Sequence, residues 1–244
     1  MGTKQRVLAL VGRTLVDLLF PPCCSGCGAP LAAGILCQAC AQHIERVASP
    51  RCPVCGVPFA GVGPDHRCQS CLLQPPTMDS TWPTFVYCGP LAQGLRALKY
   101  GPRPERLAGL AQLWRDESPP LPPVDLALPV PLHPRRLRER GFNQVVLLAR
   151  PLLRREGIAL DCSIVRRQCE GPSQASLPEK QRRLAARKAF TLSRGAAKLR
   201  GRRILVVDDV MTTGATVEAC AALVRRAGAR EVHVAVLARA PRVL

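Results

Sequence analysis

The sequence predicts an α/β protein, with a parallel-rich sheet flanked by helices and a small cysteine-rich module in front of it. Four C-x-x-C pairs fall within the first 71 of 244 residues. From residue 84 onward, short apolar runs alternate with segments of helical periodicity, as in parallel sheets with crossover helices. The charge divides at the same place: residues 1–80 carry 6 basic and 4 acidic side chains, and residues 81–244 carry 29 and 13.

The composition excludes several classes of protein. A chain that is 47% hydrophobic and 21% charged is too apolar for a disordered protein and lacks the signatures of collagen and coiled coils. Its 35 Lys+Arg against 17 Asp+Glu give a net charge of +18, and only 5 of the 35 are lysine. Polyanions are therefore the first partners to consider, namely nucleic acid, phosphorylated metabolites or an anionic membrane face.

The first segment, residues 1–20, is predicted to be an amphipathic helix. Val7, Val11, Leu15 and Leu18 recur at helical spacing between charged residues. The apolar run at 7–11 is interrupted well before the length of a signal peptide or membrane span, and no cleavage site follows. We therefore expect no membrane span and a cytoplasmic protein. Packing of this helix on its own protein is favoured over a membrane-surface anchor because its basic face is sparse.

The next segment, residues 21–75, is predicted to be a double zinc ribbon. Two consecutive C-x-x-C pairs supply four thiolates to one tetrahedral ion, and in a reducing cytosol zinc is favoured over disulfides, redox pairs or an iron–sulfur cluster. Sequential pairing closes shorter loops than a cross-braced arrangement and is preferred. Sites closed by four sulfurs are structural. The eight predicted ligands are Cys24, Cys27, Cys37, Cys40, Cys52, Cys55, Cys68 and Cys71.

The remaining cysteines and nearby histidines are interpreted more simply. Buried packing is expected for the single cysteines Cys88, Cys162, Cys169 and Cys220. His43 and His66 are expected to be exposed loop residues.

A proline-containing linker at 74–83 leads to the second domain, residues 84–244. Its predicted strands are 84–88, 124–132, 204–209 and 232–238. Its predicted helices are 91–99, 105–115, 145–154 and 216–227. The β-branched run at 204–207 predicts a buried central strand.

The segment at 206–216, VVDDVMTTGAT, is the most informative in the chain. Asp208 and Asp209 leave the central strand, where open α/β sheets bind ligands, and can accept ribose hydroxyls or join a magnesium shell. A hydroxyl-rich loop and a helix start follow, a combination that suits a phosphate. The predicted phosphate-binding residues are Thr212, Thr213, Gly214, Ala215 and Thr216. The site therefore fits a phosphorylated sugar.

This segment resembles the phosphoribosyl-pyrophosphate (PRPP) motif of type I phosphoribosyltransferases, in which apolar residues and two acids precede T-T-G-x-T. No Walker A loop and no G-x-G-x-x-G are present to support another nucleotide-binding class. The resemblance implies a type I phosphoribosyltransferase-like fold that binds PRPP with magnesium.

A second stretch, residues 129–144 (PVPLHPRRLRERGFNQ), resembles the signature of the ComF family, which is linked to bacterial DNA uptake and natural transformation. The resemblance implies that the strand and loop at 130–140 bind pyrophosphate. Of the four arginines there, Arg136 and Arg140 are predicted to contact it. Arg135 and Arg138 are the other two, and some of the four are left to solvent or nucleic acid. For Asn143 and Gln144, helix capping is favoured over sugar contact.

A further family stretch corresponds to the lid that covers the ligand in type I enzymes. It falls on Gly171, Gln174, Leu177, Arg182 or Arg183, Ala185, Ala189 and Phe190. Gly171 replaces the family's threonine and Ala185 its asparagine, so the hydrogen bonds of those side chains are lost. These departures weaken the expectation of catalysis more than that of binding.

Two functions remain open. The favoured hypothesis is a ComF-type accessory protein in DNA uptake that binds PRPP and single-stranded DNA, with other uptake proteins as further partners. Residues 135–203 contain 19 basic and 5 acidic side chains, more than one pyrophosphate needs, although Phe142 and Phe190 are the only aromatic residues there. The alternative is an active phosphoribosyltransferase that uses PRPP and magnesium on a nitrogen nucleophile.

Overall fold

The computed structural model describes residues 22–100, 104–168 and 189–241. The predicted helix at 1–20, Cys169 and the lid positions from 171 to 185 lie outside these ranges. The strands are β1 (Ser80–Val86), β2 (Leu126–Pro129), β3 (Val165–Arg167), β4 (Phe190–Leu192), β5 (Arg203–Met211) and β6 (Glu231–Arg239). The α-helices are α1 (Gln38–Gln42), α2 (Gln69–Leu73), α3 (Gly89–Tyr100), α4 (Pro104–Glu117), α5 (Pro134–Arg140), α6 (Gln144–Arg155) and α7 (Ala215–Arg226), and a 3₁₀ helix spans Arg194–Leu199.

Four strands form a parallel sheet in the order β1-β6-β5-β2, which confirms the predicted architecture. The two nine-residue strands β5 and β6 lie at its centre, and Ile204 to Val207 are fully buried, as predicted. The strands β3 and β4 form a separate antiparallel ribbon. Since all four strands of the main sheet are parallel, their carboxyl ends meet at one edge, where the acids of β5 lie.

Alternate residues of the central strand pack on opposite faces of the sheet, as the period of two requires. Leu205 and Val207 pack against the face covered by α3, α4 and α6. Ile204 and Val206 face α7, the β3–β4 ribbon and the second half of the cysteine-rich module, residues 51–73. The cysteine module therefore contributes to the core of the domain rather than standing apart from it.

Strand β1 begins at Ser80, inside the segment predicted to be a linker. The apolar pattern begins only at residue 84 because Pro83 interrupts it. Strand β1 lies at the edge of the sheet, where a missing amide donor is tolerated, and Pro83 stays in register with Val236 of β6.

The first ribbon, residues 22–43, docks on α3 and α4 through two helical glycines. A Cβ at Gly94 would lie 2.2 Å from the carbonyl oxygen of Ser25, and a Cβ at Gly109 would lie 2.0 Å from its hydroxyl. The side chain of Arg106 on α4 also donates to the carbonyl of Gly26. Glycine within these helices thus allows close approach of the ribbon backbone.

The second ribbon, residues 51–73, packs along β1 on the opposite face of the sheet. Thr81 donates its hydroxyl to the carbonyl of Val54 at 2.7 Å. A Cβ on Gly56 would meet the Pro83 ring at 2.9 Å. Of the residues described, no helix is long and apolar enough to cross a bilayer.

Candidate functional site

Eight cysteines form two separate tetrads. The sulfurs of Cys24, Cys27, Cys37 and Cys40 all lie within 4.8 Å of one another, as do those of Cys52, Cys55, Cys68 and Cys71. The structure thus brings together the predicted sulfurs in the sequential arrangement rather than the cross-braced one. The second tetrad is fully buried, whereas Cys27 in the first is exposed and Cys37 is half-buried.

The two tetrads repeat the same local backbone. Gly28 and Gly56 follow the second cysteine of the first knuckle in each ribbon, with φ of 83° and 67°, which only glycine adopts readily. In each ribbon a backbone amide from the second knuckle points at a sulfur of the first. Cys37 N lies 3.3 Å from Cys24 Sγ, and Cys68 N lies 3.4 Å from Cys52 Sγ.

These environments suit a thiophilic divalent ion. The hydrogen bond between Cys52 and Cys55 lowers the pKa of Cys52 to about 4 and raises that of Cys55, and burial raises the pKa of Cys40 and Cys71. Burial raises the pKa of Cys24, but donation from the Cys37 amide and its neighbours outweighs it and lowers that pKa to about 6. Thiolate is the ligand form that zinc requires, and four sulfurs at this separation match a closed tetrahedral site. Such a site leaves no open position for a catalytic water.

The acid pair lies near the carboxyl end of the central strand β5, which ends at Met211, and both acids are buried with 8% exposure. Asp208 accepts the backbone amide of Asp209 at 2.9 Å, and Asp209 accepts the amide of Val210 at 2.8 Å. Asp209 also accepts the side-chain amide of Gln144 at the start of α6. Two carboxylates are therefore held by fixed donors at the carboxyl end of the sheet, the edge where open α/β folds bind ligands.

Residues 212–216, called the phosphate loop below, follow β5 and include the first two residues of α7. Gly214 is the N-cap of α7, with φ of 81°, and a Cβ there would lie 2.6 Å from the Met211 methyl. Thr212 and Thr213 are exposed and Thr216 is half-buried. The Ala215 amide approaches the Thr213 hydroxyl at 3.4 Å. The loop therefore offers hydroxyls beside the amides of a 12-residue helix, which suits an anion.

The four arginines of the ComF-like stretch differ from the prediction in their local structure. They lie on the short helix α5 rather than on a loop, and α5 has no buried residue. His133 caps this helix, Pro134 begins it and Gly141 ends it with φ of 78°. Since helical geometry spreads these side chains over several directions, they cannot all face one ligand.

The contacts of α5 separate the arginines. Arg140 donates to the side-chain oxygen of Gln144 at 3.2 Å, which places it next to the amide that holds Asp209. Arg135 pairs with Glu139 at 2.9 Å on the exposed side. Arg136 and Arg138 are exposed.

The two amides at the start of α6 have different roles. Asn143 is the N-cap: its side chain accepts the amide of Val145 at 3.1 Å and donates to the carbonyl of Val130 at 3.0 Å. The favoured capping role is thus confirmed for Asn143. Gln144 is instead the first helical residue and is buried, with its side chain joined to Asp209.

Arg167 on β3 is a residue near the acids that the sequence analysis did not single out. Its guanidinium lies 5.3 Å from the Phe190 ring centroid. Burial lowers the pKa of Arg167, as does the charge of Arg136, while Asp208 opposes the shift. The sequence signal for Arg167 was weak. Arg166 and Arg167 are adjacent at the end of a short apolar segment, and nothing in the sequence shows that Arg166 is the exposed one.

Arg239, the last residue of β6, was also missed. It is 2% exposed and donates to backbone carbonyls of both the second ribbon and the strand end that leads into the phosphate loop. The local signal was an arginine directly after the apolar run at 234–238.

The other single cysteines and the histidines follow the predictions in part. Cys220 is buried on α7, as predicted, and Cys88 is half-buried. Cys162 is exposed, contrary to the packing prediction, because it lies in an irregular turn before β3. His43 and His66 are exposed, as predicted.

The fold and the site together define a phosphoribosyltransferase-type domain joined to a double zinc ribbon. Residues 144–243 match the family model of the phosphoribosyl transferase domain, and residues 15–72 match that of the double zinc ribbon domain.

The chain belongs to the ComF family. It is 36% identical over 230 residues to the DNA utilization protein YhgH of Salmonella typhi, covering 91% of this chain and 99% of that protein. It is 32% identical over 216 residues to competence protein F of Haemophilus influenzae, covering 86% and 93%. A solved structure of glutamine PRPP amidotransferase from B. subtilis overlaps 53% of this chain and 25% of that one, at 21% identity and a TM-score of 0.36.

Proposed function

We propose that this ComF-family protein binds PRPP or a similar phosphosugar at the phosphate loop and single-stranded DNA at its basic surface, as an accessory in DNA uptake. The observation that carries the proposal is the acid pair Asp208–Asp209, buried near the end of β5 and separated by two residues from the loop that leads into α7. The names of the relatives, DNA utilization protein and competence protein, support the cellular role.

In this proposal each group has a chemical role. Asp208 and Asp209 accept the ribose hydroxyls, and the hydroxyls and amides at 212–216 hold the 5′-phosphate. Arg140 and Arg136 meet the pyrophosphate, because guanidinium forks match phosphate oxygens. Gln144 keeps Asp209 oriented through its side-chain amide.

Magnesium fits the donor set of the same site. Asp208 and Asp209 offer only oxygen ligands, the type that Mg²⁺ prefers, beside a proposed polyphosphate. A bound ion would supply charge neutralisation to the pyrophosphate. The two tetrads are proposed to hold one structural zinc each, since their four-sulfur donor sets fit that ion.

The basic surface supports the DNA part of the proposal. Exposed arginines occur on α5 and, at Arg150 and Arg154, on one side of α6. One PRPP neutralises only a few of the charges behind the net +18. The sparse aromatic content of 4% argues for backbone contacts rather than base stacking. We place this activity in the cytoplasm, where the cysteines stay reduced, alongside other proteins of DNA uptake.

Calorimetry with PRPP and Mg²⁺ tests the sugar-phosphate site. The double variant Asp208→Asn, Asp209→Asn should lose measurable binding, because amides accept ribose hydroxyls more weakly than carboxylates do. Asp125→Asn is the matched control: Asp125 pairs with Arg203 at 2.8 Å, at the opposite end of β2 and β5. Unchanged affinity in the double variant would show that the site lies elsewhere.

Fluorescence anisotropy with labelled single strands tests the DNA surface. For about four neutralised phosphates, raising salt fourfold should weaken binding about 50-fold. Repeating the series with PRPP and Mg²⁺ reports whether the two ligands affect each other. Absence of binding at low salt would remove DNA as a partner.

Active phosphoribosyl transfer is the second candidate. It is favoured by a cavity of about 300 Å³ beside Thr213 and Gly214, walled on its other side by the second ribbon. Such a volume accepts a small heterocycle or amine. Release of pyrophosphate from PRPP in the presence of candidate nitrogen nucleophiles tests it. If the wild-type protein releases pyrophosphate no faster than the Asp208→Asn, Asp209→Asn variant does, the enzymatic function is excluded.

A further inference from the structure

The guanidinium of Arg239 joins two parts of the molecule that the chain separates by 184 residues. Its Nε donates to the carbonyl of Cys55 at 2.9 Å. Its Nη1 donates to the carbonyls of Met211 at 2.9 Å and Thr212 at 2.5 Å, and also to that of Ala240 at 2.8 Å. One buried side chain therefore connects a ligand residue of the second tetrad to the entrance of the phosphate loop.

The planar fork of arginine makes this connection geometrically demanding. Its donors have fixed directions, so the carbonyls they meet must keep a fixed separation. Displacing the Cys55 carbonyl would take away the acceptor that the Nε–H of this buried cation has here, which is costly. Moving Cys55 away therefore disfavours the observed positions of Met211 and Thr212.

A second contact lies near the same boundary between the sheet domain and the cysteine-rich module. Glu218, in the first turn of α7, accepts the amide of Thr77 at 2.9 Å and its hydroxyl at 2.5 Å. Thr77 lies in the segment that follows the second ribbon. The strand before the phosphate loop is thus tied to the second ribbon through Arg239, and the helix after the loop is tied to the segment that leaves this ribbon.

The first ribbon has a comparable contact in a different place. Arg106 on α4 donates to the carbonyl of Gly26, between the two cysteines of the first knuckle. Arg106 is half-buried and its ribbon docks on α3 and α4, not on the phosphate loop. The two ribbons therefore present similar arginine contacts, of which one touches the loop backbone.

We propose that Arg239 is a positioning residue that couples the second cysteine tetrad to the phosphate loop. Phosphosugar binding at residues 212–216 and metal retention by Cys52, Cys55, Cys68 and Cys71 then stabilise each other, because both need the same arrangement of carbonyls. The coupling is reciprocal by thermodynamic necessity. This inference rests on the proposed function, since the loop ligand is taken to be PRPP.

Cysteine alkylation in the full-length, zinc-loaded protein measures the coupling. With a zinc-selective chelator that does not bind Mg²⁺ and N-ethylmaleimide present, peptide mass spectrometry reports separately how fast each tetrad releases its metal. Saturating PRPP and Mg²⁺ should slow alkylation of the second tetrad at least threefold and leave the first unchanged. If PRPP binds and the second tetrad is not protected, the coupling does not exist.

Arg239→Lys assigns the coupling to the side chain. Lysine keeps the charge but replaces the rigid fork with a single ammonium that cannot span Cys55 and Met211 in the same way. PRPP should bind at least tenfold more weakly and the second tetrad should lose its protection. Arg106→Lys is the matched control and should speed alkylation of the first tetrad while PRPP affinity stays within twofold. A folded Arg239→Lys protein with wild-type affinity and protection would overturn the proposal.

A third measurement separates this inference from the proposed function. Amide hydrogen exchange of residues 212–216 reports the loop without any ligand. Removing the second tetrad's zinc from the wild-type protein should increase that exchange, and Arg239→Lys, if it folds, should do the same. If PRPP does not bind the wild-type protein, the proposed function fails, and the exchange data still decide whether tetrad and loop are coupled.

Discussion

At the residue scale, the acid pair depends on side chains that the motif does not contain. Asp209 accepts the amide of Gln144, whose oxygen in turn accepts Arg140. This chain fixes one carboxylate and places a cation beside it. Asp208 has different surroundings, since it interacts electrostatically with Arg167. The two acids are therefore not equivalent, although they are adjacent and identical in sequence.

Arg167 gives a direct prediction because its neighbour is a natural control. Arg167→Ala should weaken PRPP binding about tenfold, since a half-buried cation near Asp208 is lost and charge-assisted contacts contribute about 1.5–3 kcal/mol. Arg166→Ala removes the same charge from the exposed side of β3. Calorimetry of both variants checks it: equal affinities would mean that Arg167 acts only through net charge.

Gly214 gives a second prediction at this scale. Gly214→Ala should cost about 1–3 kcal/mol of stability from its backbone conformation alone and should also reduce PRPP affinity, because the added Cβ meets Met211 at 2.6 Å. Gly157 has φ of 68° and open space around it. Gly157→Ala should therefore lose stability in chemical denaturation but bind PRPP normally. If both variants bind normally, the loop tolerates displacement.

At the element scale, the two ribbons use the same local structure for different packing. Each has a glycine turn after the second cysteine of its first knuckle and a five-residue helix that carries the last cysteine of its tetrad. The first ribbon packs on α3 and α4 and keeps Cys27 exposed, whereas all four cysteines of the second ribbon are buried in the core shared with the sheet. A shared motif therefore gives one peripheral element and one that belongs to the core.

Because the first ribbon docks on α4, a glycine-to-alanine substitution in that helix is expected to lower the stability of the protein instead of raising it. Alanine in place of a helical glycine normally stabilises by about 1 kcal/mol. Gly109→Ala should instead destabilise the protein, because its Cβ would lie 2.0 Å from the Ser25 hydroxyl. Chemical denaturation gives the free energy, and a gain in stability would show that Ser25 moves away at little cost.

At the scale of the whole molecule, the second ribbon occupies one side of the cavity beside the phosphate loop. The same module contributes to the hydrophobic core and contacts the loop through Arg239. Folding of the sheet domain and metal binding are thus expected to depend on each other.

Metal analysis tests this dependence. The purified protein should contain two zinc ions, and Cys27→Ser should retain about one, with the sheet domain intact. Cys52→Ser should cause a larger fall in melting temperature, because its tetrad is fully buried in the core. Metal content and thermal unfolding give both values, and equal losses of stability would contradict this difference between the ribbons.

The sequence predicted those features whose information is local in the chain. The sequential tetrads follow from C-x-x-C spacing, because nearby cysteines close small loops. The central strand 204–207 and the acids at its end follow from one apolar run and its neighbours. The sequence did not indicate the start of β1. Pro83 is compatible with a strand there because β1 lies at the edge of the sheet, and the strand order is not visible in the sequence.

By itself, then, the sequence determined the parallel α/β class, the grouping of eight cysteines into two tetrads and the position in the chain of the acid pair and the segment that follows it. Only the tertiary structure decided which side chains serve that loop. Gln144 reaches Asp209 across 65 residues, and Arg239 reaches Cys55 across 184. Such partners leave no periodic or spacing signal, because a hydrogen bond between distant segments depends on how the sheet and the ribbon pack, not on neighbouring residues.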